Sequence, residues 1–469
     1  MWIRVTVHET ITATRVWVAV HTENDKESDM SQAGAEYRLD GIYQQRQPGY
    51  FMQRVKLAAG VISAEQARTV ATIAERFGRG TLHLTSRGSI EIHWLAEASL
   101  REVKRALALV GLTSRGACGG AVRGVTCGSQ AAQGFPILET VAAALHRHFT
   151  GNPRFERLPK KFKIGIEADV SDGRHLIQDV GLVLSGIEDG RAGFDVWIAG
   201  GLGREPRPGF LLAQGVAEER LIPIIEAVIR VYAAHAPPPK RLKFLAQEFG
   251  QEELTRLIRE EAGFSEVLPV TTGLSGQLVS EPAGRCRLEV PIFAGSMTST
   301  QLRHLAAYAD ACADGVLMVT VNQDIAFVLA EGLCTPEADA RLLEITGFTA
   351  TADSCVTIRV CPGAHECRMG LAATRDVAAG ILAVAGSGAA ELVWAVSGCP
   401  NSCTQPQLAD VGIVVARLVA GEDGIRTPRF DVYQRNAAGL GRKMLESLAY
   451  EELLEKLPVP SPVSRCEPL

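Results

Sequence analysis

The sequence lacks any run of about 18 apolar residues, so no helix able to cross a bilayer is expected. It also lacks an excess of charge of either sign. Lys and Arg number 48 against 53 Asp and Glu, a formal charge of −5. That gives no global basis for nucleic-acid binding and confines any anion site to a local cluster. Met1 to Asn24 carry Arg4, His8, Glu9 and Arg15 without the long apolar stretch of a signal peptide. No flavin region, nucleotide loop or second cluster motif is found. Gly200-Gly-Leu-Gly203 has neither the following helix nor the acidic residue of a dinucleotide site and reads as a turn. Eleven cysteines in 469 residues are too few for a disulfide framework. Seven of them, Cys118, Cys127, Cys286, Cys312, Cys334, Cys355 and Cys466, have no paired spacing, and most are expected as free, buried thiols. Free thiols suit a reducing cytoplasm.

What is present is an ordinary water-compatible composition, 46 % hydrophobic and 22 % charged, long enough for about two to four domains. Two segments repeat one plan. Ser63-Ala-Glu-Gln66 is a capping box that opens a helix to about Phe77, followed by a strand to Thr85, a turn and a strand Ser89–Trp94. Thr298-Ser-Thr-Gln301 opens a second helix, followed by a strand to Thr320, a turn and a strand Asp324–Leu329. Cap and strand-ending threonine lie 22 positions apart in both. Further on, Asp179-Val-Gly-Leu-Val-Leu184 resembles Asp410-Val-Gly-Ile-Val-Val415, and Phe194-Asp-Val-Trp197 resembles Phe430-Asp-Val-Tyr433. Four matches in one order predict a duplicated module. Helices and strands mix without a regular βαβ rhythm, so the fold class is α+β.

The copies differ where chemistry is expected. A shift of 231 positions, set by the Asp179 and Asp410 strands, places Lys161–Glu167 on Leu392–Gly398, which leads directly into Cys399. One copy offers lysines where the other leads to cysteines. Lys161 and Lys163, at the start of an expected strand, face the same way, as do Arg54 and Lys56. Arg87 lies in a turn between strands and Arg123 in a glycine-rich stretch. Any one of these is most simply a solvated surface charge, but together they could enclose a small oxyanion. Two charges about 4 Å apart gain roughly 4 kcal/mol at an effective dielectric near 20.

Four cysteines stand apart: Cys361-Pro-Gly-Ala-His-Glu-Cys367 and Cys399-Pro-Asn-Ser-Cys403. Four thiolates at such spacings can hold an iron–sulfur cube. They also permit tetrahedral zinc, although the spacing is neither that of a zinc ribbon nor that of a ferredoxin.

These residues identify a resemblance. From about Gly41 to Asn436 the chain resembles the sulfite and nitrite reductases that contain sirohaem and a 4Fe-4S cluster. Ser397-Gly-Cys-Pro-Asn-Ser-Cys403 carries it most strongly, followed by Leu158-Pro-Lys-Lys-Phe-Lys163, Leu84-Thr-Ser-Arg87 and Arg54-Val-Lys-Leu-Ala-Ala-Gly60. The resemblance implies a pseudo-two-fold α+β fold with ferredoxin-like half-domains at 41–115 and 266–350. It implies larger α/β cofactor-binding domains at 116–265, with the anion-binding basic residues, and at 351–469, with the cofactor ligands. Residues 1–40 remain unassigned. By the same resemblance Cys361, Cys367, Cys399 and Cys403 hold the cluster, and Cys403 bridges it to the sirohaem iron. Arg87, Arg123, Lys161 and Lys163 surround the substrate, and Arg54, Lys56, Thr85 and Asn401 join Cys403 in binding cofactor. The implied reaction is sulfite to sulfide with an external donor, a ferredoxin or a flavoprotein.

Within this family nitrite is the alternative substrate. Nitrite-reducing members often have asparagine where this chain has Lys163, and two lysines suit a dianion. The chain departs from the family in Gly116–Arg123, which lacks polar residues before the arginine, and in Thr404-Gln405, where a small residue and an arginine are usual. A precorrin-3B synthase-like enzyme shares the cysteine motif but needs no anion pocket, which the four basic residues argue against.

Overall fold

The computed structural model describes residues 32–132, 134–188, 191–263, 284–333, 335, 342, 356–422, 424–435 and 439–457. Residues 1–31, much of the expected 266–350 unit, Cys334, Cys355, Cys466 and the tail from 458 lie outside them. Among the described residues no helix is long and apolar enough to cross a membrane.

Both capping boxes form. Ser63 Oγ accepts from Gln66 N and the Gln66 side chain accepts from Ser63 N, starting the helix Ala64–Phe77. Thr298 and Gln301 do the same for the helix Ser299–Cys312. Each cap contributes about 1 kcal/mol. Strands follow in the predicted order. The first copy has β1 (Ile42–Gln44), β2 (Tyr50–Val55), β3 (Val61–Ser63), β4 (Thr81–Thr85) and β5 (Ser89–Ala96), then β6 (Thr126–Cys127), β7 (Ile164–Glu167), β8 (Val180–Glu188), β9 (Arg191–Ile198) and β10 (Phe210–Ala217). The second has β11 (Arg285–Val290), β12 (Ser296–Thr298), β13 (Val316–Val319), β14 (Ile325–Ala330), β15 (Thr357–Val360), β16 (Val393–Ser397), β17 (Val411–Ala420), β18 (Arg426–Gln434) and β19 (Arg442–Leu448).

The two small units exchange strands. β12 of the second pairs antiparallel with β4 of the first, and β3 of the first pairs with β13 of the second. Two reciprocal hydrogen bonds follow, Ala64 N to Gly315 O and Ser299 N to Gly80 O, both 2.8 Å. So do two reciprocal surface ion pairs, Arg68–Asp310 and Arg303–Glu75. Contacts repeated with the copies swapped are the signature of a two-fold axis. The units share one apolar core, including Ile62, Val70, Leu82 and Ile90 with Leu302, Leu305, Leu317 and Phe327. Gly60 sits where they cross. Its φ is +81°, and a Cβ there would lie 2.2 Å from Val319 O.

Each larger domain holds a five-stranded sheet, half parallel and half antiparallel: β10-β9-β8-β7-β6 and β15-β16-β17-β18-β19. Phe162, Ile164 and Ile166 enter the core of the first, so their alternating neighbours face away from it.

Three expectations need correction. Lys161 and Lys163 precede β7 rather than lie within it, and Phe162 is joined to Val122 by a single parallel bridge. The copies align by 230 positions, not 231, at the lysines, because Ile164 lies opposite Val180 whereas Trp394 lies opposite Val411. The loop between β7 and β8 is one residue shorter than its counterpart, so Glu167 matches Ser397. Finally, Cys286 is disulfide-bonded, with a partner outside the described residues. Its place on β11, opposite Leu329 on β14, keeps it near the sheet margin rather than in the core.

Candidate active site

The first copy supplies the cations. Arg87 sits at the tip of the β4–β5 hairpin. Thr85 Oγ1 accepts from the backbone N of Arg87 (3.3 Å) and Ser89 (3.2 Å), so Thr85 shapes the turn. The Arg87 guanidinium donates to Gln178 Oε1 (3.0 Å) and Gly124 O (2.9 Å). Burial, with Arg123 close by, brings its pKa down to about 9. Arg123 donates to Gly116 O (3.0 Å) and Gly119 O (2.8 Å). Its backbone N donates to Phe162 O (2.8 Å), which brings the Arg123 segment alongside the two lysines.

Lys161 and Lys163 carry the functional signal. Neither ammonium has a hydrogen-bond or ion-pair partner among the described residues. Burial, reinforced by Arg241 and Arg123, brings Lys161 down to about 8. Burial, reinforced by Arg87, Lys161 and Arg241, takes Lys163 well below the ordinary lysine range. Only the Lys163 backbone is anchored, its N donating to Asp179 Oδ2 (2.8 Å). Asp179, fully buried, is neutralised by Arg241 at 2.7 Å. Both side chains are half-buried, and half-buried cations held close together without counter-ions are a poised anion site.

Arg54 and Lys56 are differently engaged. Arg54 forms an ion pair with Glu91 at 2.5 Å and also donates to Ala117 O (3.3 Å). Lys56 is buried and donates to Val122 O (3.2 Å) and Thr150 Oγ1 (2.8 Å). Burial, with Arg123 as its strongest repelling neighbour, brings it to about 7.

The second copy supplies the sulfurs. β15 and β16 are parallel, so their C-terminal ends reach the same edge and deliver Cys361 and Cys399 together. Cys367 follows a single helical turn, Gly363–Glu366. Gly363 has φ +56°, and a Cβ there would lie 2.2 Å from Thr374 Oγ1. Backbone donors point at the sulfurs. Gly398 N lies 3.1 Å from Cys361 Sγ, Met369 and Gly370 donate to Cys367, and Asn401 donates to Cys399 from both backbone and side chain. Burial and then the Cys403 sulfur push Cys367 up to about 11 and Cys399 up to about 12. Cys361 is raised by the same two causes.

The four sulfurs therefore feel one another's charge, yet among the described residues no three ligating groups are placed to hold a single metal ion. Tetrahedral zinc with Zn–S near 2.3 Å would need sulfurs within about 4 Å of each other. A thiolate-lined and amide-lined cup suits an iron–sulfur cube. Cys403 is the exposed member of the four.

The two copies meet at Cys403. Its charge acts on both Lys161 and Lys163, and Ser86 Oγ, beside Arg87, donates to Cys403 O at 2.7 Å. The structure thus brings Arg87, Arg123, Lys161 and Lys163 to one side and the four cysteines to the other. Sequence reasoning missed Ser86, Arg174, Gln178, Arg241, Arg359 and Gln405. Only the unusual Thr404-Gln405 gave any signal for one of them.

The chain is similar to known proteins in sequence and in fold. Residues 43–110 match the nitrite/sulfite reductase ferredoxin-like half domain, and residues 123–265 match the nitrite and sulphite reductase 4Fe-4S domain. The latter match falls on the copy without the four cysteines, as a duplicated domain allows. The sulfite reductase (ferredoxin) 2 of Mycolicibacterium paratuberculosis is 28 % identical over 91 % of this chain and 84 % of its own length. The ferredoxin–nitrite reductase of Synechococcus elongatus is 28 % identical over 87 % and 85 %. The sulfite reductase (NADPH) hemoprotein beta-component of Acidithiobacillus ferrooxidans is 27 % identical over 90 % and 82 %. The solved structure of the Mycobacterium tuberculosis NirA protein shares the fold, with a TM-score of 0.76, 22 % identity, and coverage of 91 % of this chain and 86 % of that one.

Proposed function

We propose, from the premise that the chain belongs to the nitrite and sulfite reductase family, that it reduces sulfite to sulfide with electrons from an external donor. The observation that carries the choice of sulfite is the pair of half-buried, unpartnered ammonium groups, Lys161 and Lys163, which feel the charge of Cys403. Two such charges favour a dianion over a monoanion. The alternative within the family is nitrite to ammonia.

Cys361, Cys367, Cys399 and Cys403 would hold the 4Fe-4S cluster, with Cys403 also joining it to sirohaem. When bound, these groups supply single electrons and an iron coordination site for the oxyanion. The protein's residues do the rest. Arg87 and Arg123, held rigidly by carbonyls and by Gln178, compensate substrate charge from fixed positions. Lys161, with its pKa near 8, gives up and regains a proton at neutral pH, which suits a general acid. Each sulfite oxygen leaves as water and takes two protons, so this supply matters in every cycle. The donor is a ferredoxin or flavoprotein. We assign the reaction to the cytoplasm, where reducing conditions preserve a thiolate-held cluster.

The test is anaerobic purification with cofactor reconstitution, then steady-state turnover of sulfite and of nitrite with a low-potential dye. Strong Soret and red absorption with preference for sulfite is expected. Protein that holds iron and sulfide but no macrocycle would refute the reading, and a preference for nitrite would replace sulfite with the alternative.

A further inference from the structure

A buried ring of hydrogen bonds joins the Arg87 turn to the Cys403 turn. Arg87 donates to Gln178 Oε1 (3.0 Å), Gln178 Nε2 to Arg174 O (3.2 Å), and Arg174 Nη1 to Gln405 Oε1 (3.1 Å). Gln405 Nε2 then donates to Ser86 O (2.8 Å), and Ser86 precedes Arg87 in the chain. Ser86 closes a second contact through its Oγ to Cys403 O (2.7 Å). Two opposed bonds between the same pair of turns prevent either from rotating against the other.

The cysteine turn needs such restraint. Ser402 and Gln405 both adopt left-handed backbone conformations, with φ of 53° and 60°. Non-glycine residues hold such angles at an energetic cost unless their surroundings impose them. Here the carbonyls of three successive residues are each captured from outside the turn. Ser86 takes Cys403 O, while Arg359 takes Thr404 O (2.9 Å) and Gln405 O (3.3 Å). Arg359 is 1 % exposed and has no ion-pair partner among the described residues. A buried guanidinium spent on two loop carbonyls is expensive as a mere spacer, which marks the geometry it imposes as the gain.

We propose that Ser86, Gln405 and Arg359 are positioning residues that fix the Cys403 sulfur relative to the Arg87 guanidinium, so that one buried clasp sets the spacing between the two faces of the reaction centre. The clasp as structure stands on the hydrogen bonds alone. Its effect on catalysis rests on the sulfite reductase reading.

The experiment uses the complete chain, reconstituted with its cofactors and also ligand-free. The variants are Ser86→Ala, Ser86→Thr, Gln405→Met and the Ser86→Ala/Gln405→Met pair. In ligand-free protein, Gln405→Met should speed amide hydrogen exchange in the 85–89 turn, although the substitution lies on the opposite loop. In the holoenzyme, Ser86→Ala should raise KM for sulfite and lower kcat, with about a tenfold or greater combined loss in kcat/KM, since an ångström of misplacement can cost up to a hundredfold. Ser86→Thr, which keeps the hydroxyl, should recover activity to within about twofold of wild type. The double variant should be little worse than the poorer single one, as coupled sites require. The proposal is overturned if exchange at 85–89 is unaltered by Gln405→Met. It is equally overturned if Ser86→Ala turns over like wild type, if threonine rescues no better than alanine, or if the two losses simply multiply. Should wild-type protein reduce neither oxyanion, the reductase reading fails by itself, and the exchange measurement still decides whether the clasp exists.

Discussion

Replacing Lys163 with asparagine tests substrate choice at its source. The Lys163 ammonium is half-buried beside Arg87, Lys161 and Arg241 and has no counter-ion among the described residues, so its charge is directed at whatever anion enters. A unit charge about 5 Å from a ligand interacts by roughly 3 kcal/mol per unit of ligand charge at an effective dielectric near 20. Sulfite as the dianion carries one more unit than nitrite, so the substitution should cost it up to about 3 kcal/mol more, roughly a hundredfold. Water entering the vacated space will screen part of this. We therefore expect the ratio of kcat/KM for sulfite to that for nitrite to fall at least about tenfold. The assay is steady-state turnover of both anions with the same reduced dye, for wild type and variant side by side, after matching cluster and macrocycle content. A ratio unchanged to within about twofold would refute the charge argument, whatever happened to the absolute rates.

Other consequences can be measured directly. Burial pushes Glu167 up to about 7. A carboxyl that binds its proton more tightly when folded lowers stability progressively as pH rises from about 4.3 to 7, and the full loss persists above that. Glu167→Gln should therefore stabilise the protein at pH 8 by on the order of 3 kcal/mol and leave it nearly unchanged at pH 4, as read from urea midpoints. Arg241→Met strips Asp179 of its only ion-pair partner among the described residues. It should lower unfolding free energy by about 3–5 kcal/mol in chemical denaturation. Gly363→Ala would force a Cβ against Thr374 Oγ1 and Ala372 O beside the cysteine cup, and iron content after anaerobic reconstitution should drop to roughly half or less of wild type. Elemental analysis of the native protein should find iron with acid-labile sulfide and no stoichiometric zinc.

Local signals in the sequence carried the helices, because a capping box is closed by residues three apart. Ser63–Gln66 and Thr298–Gln301 needed nothing from the rest of the chain. The cysteine cup was legible for the same reason, each pair being a few residues long. The fate of the other charges was not legible. Arg54 and Lys56 share a face, as their spacing implied, but Glu91, Val122 and Thr150, which receive them, are contributed from far along the chain. Arg174, Arg241 and Arg359 look like ordinary surface arginines until tertiary packing buries them. The one-residue error in aligning the copies arose because matching strands were treated as if the loops between them had equal length. Sequence likeness reports strands; register is set by hydrogen bonding across them.

The exchange of β3 and β12 has a further consequence for what half of this protein could be. Cut between the copies, each piece would lose a strand that its sheet requires and would offer a bare backbone edge together with half an apolar interior. Its best available complement would be another piece of the same shape, since the missing strand in each is the one its counterpart carries. An ancestral single-copy chain built this way could have existed only as a pair, with both partners alike. Fusion would then have freed the two sides to specialise, one gathering positive charge and the other sulfur.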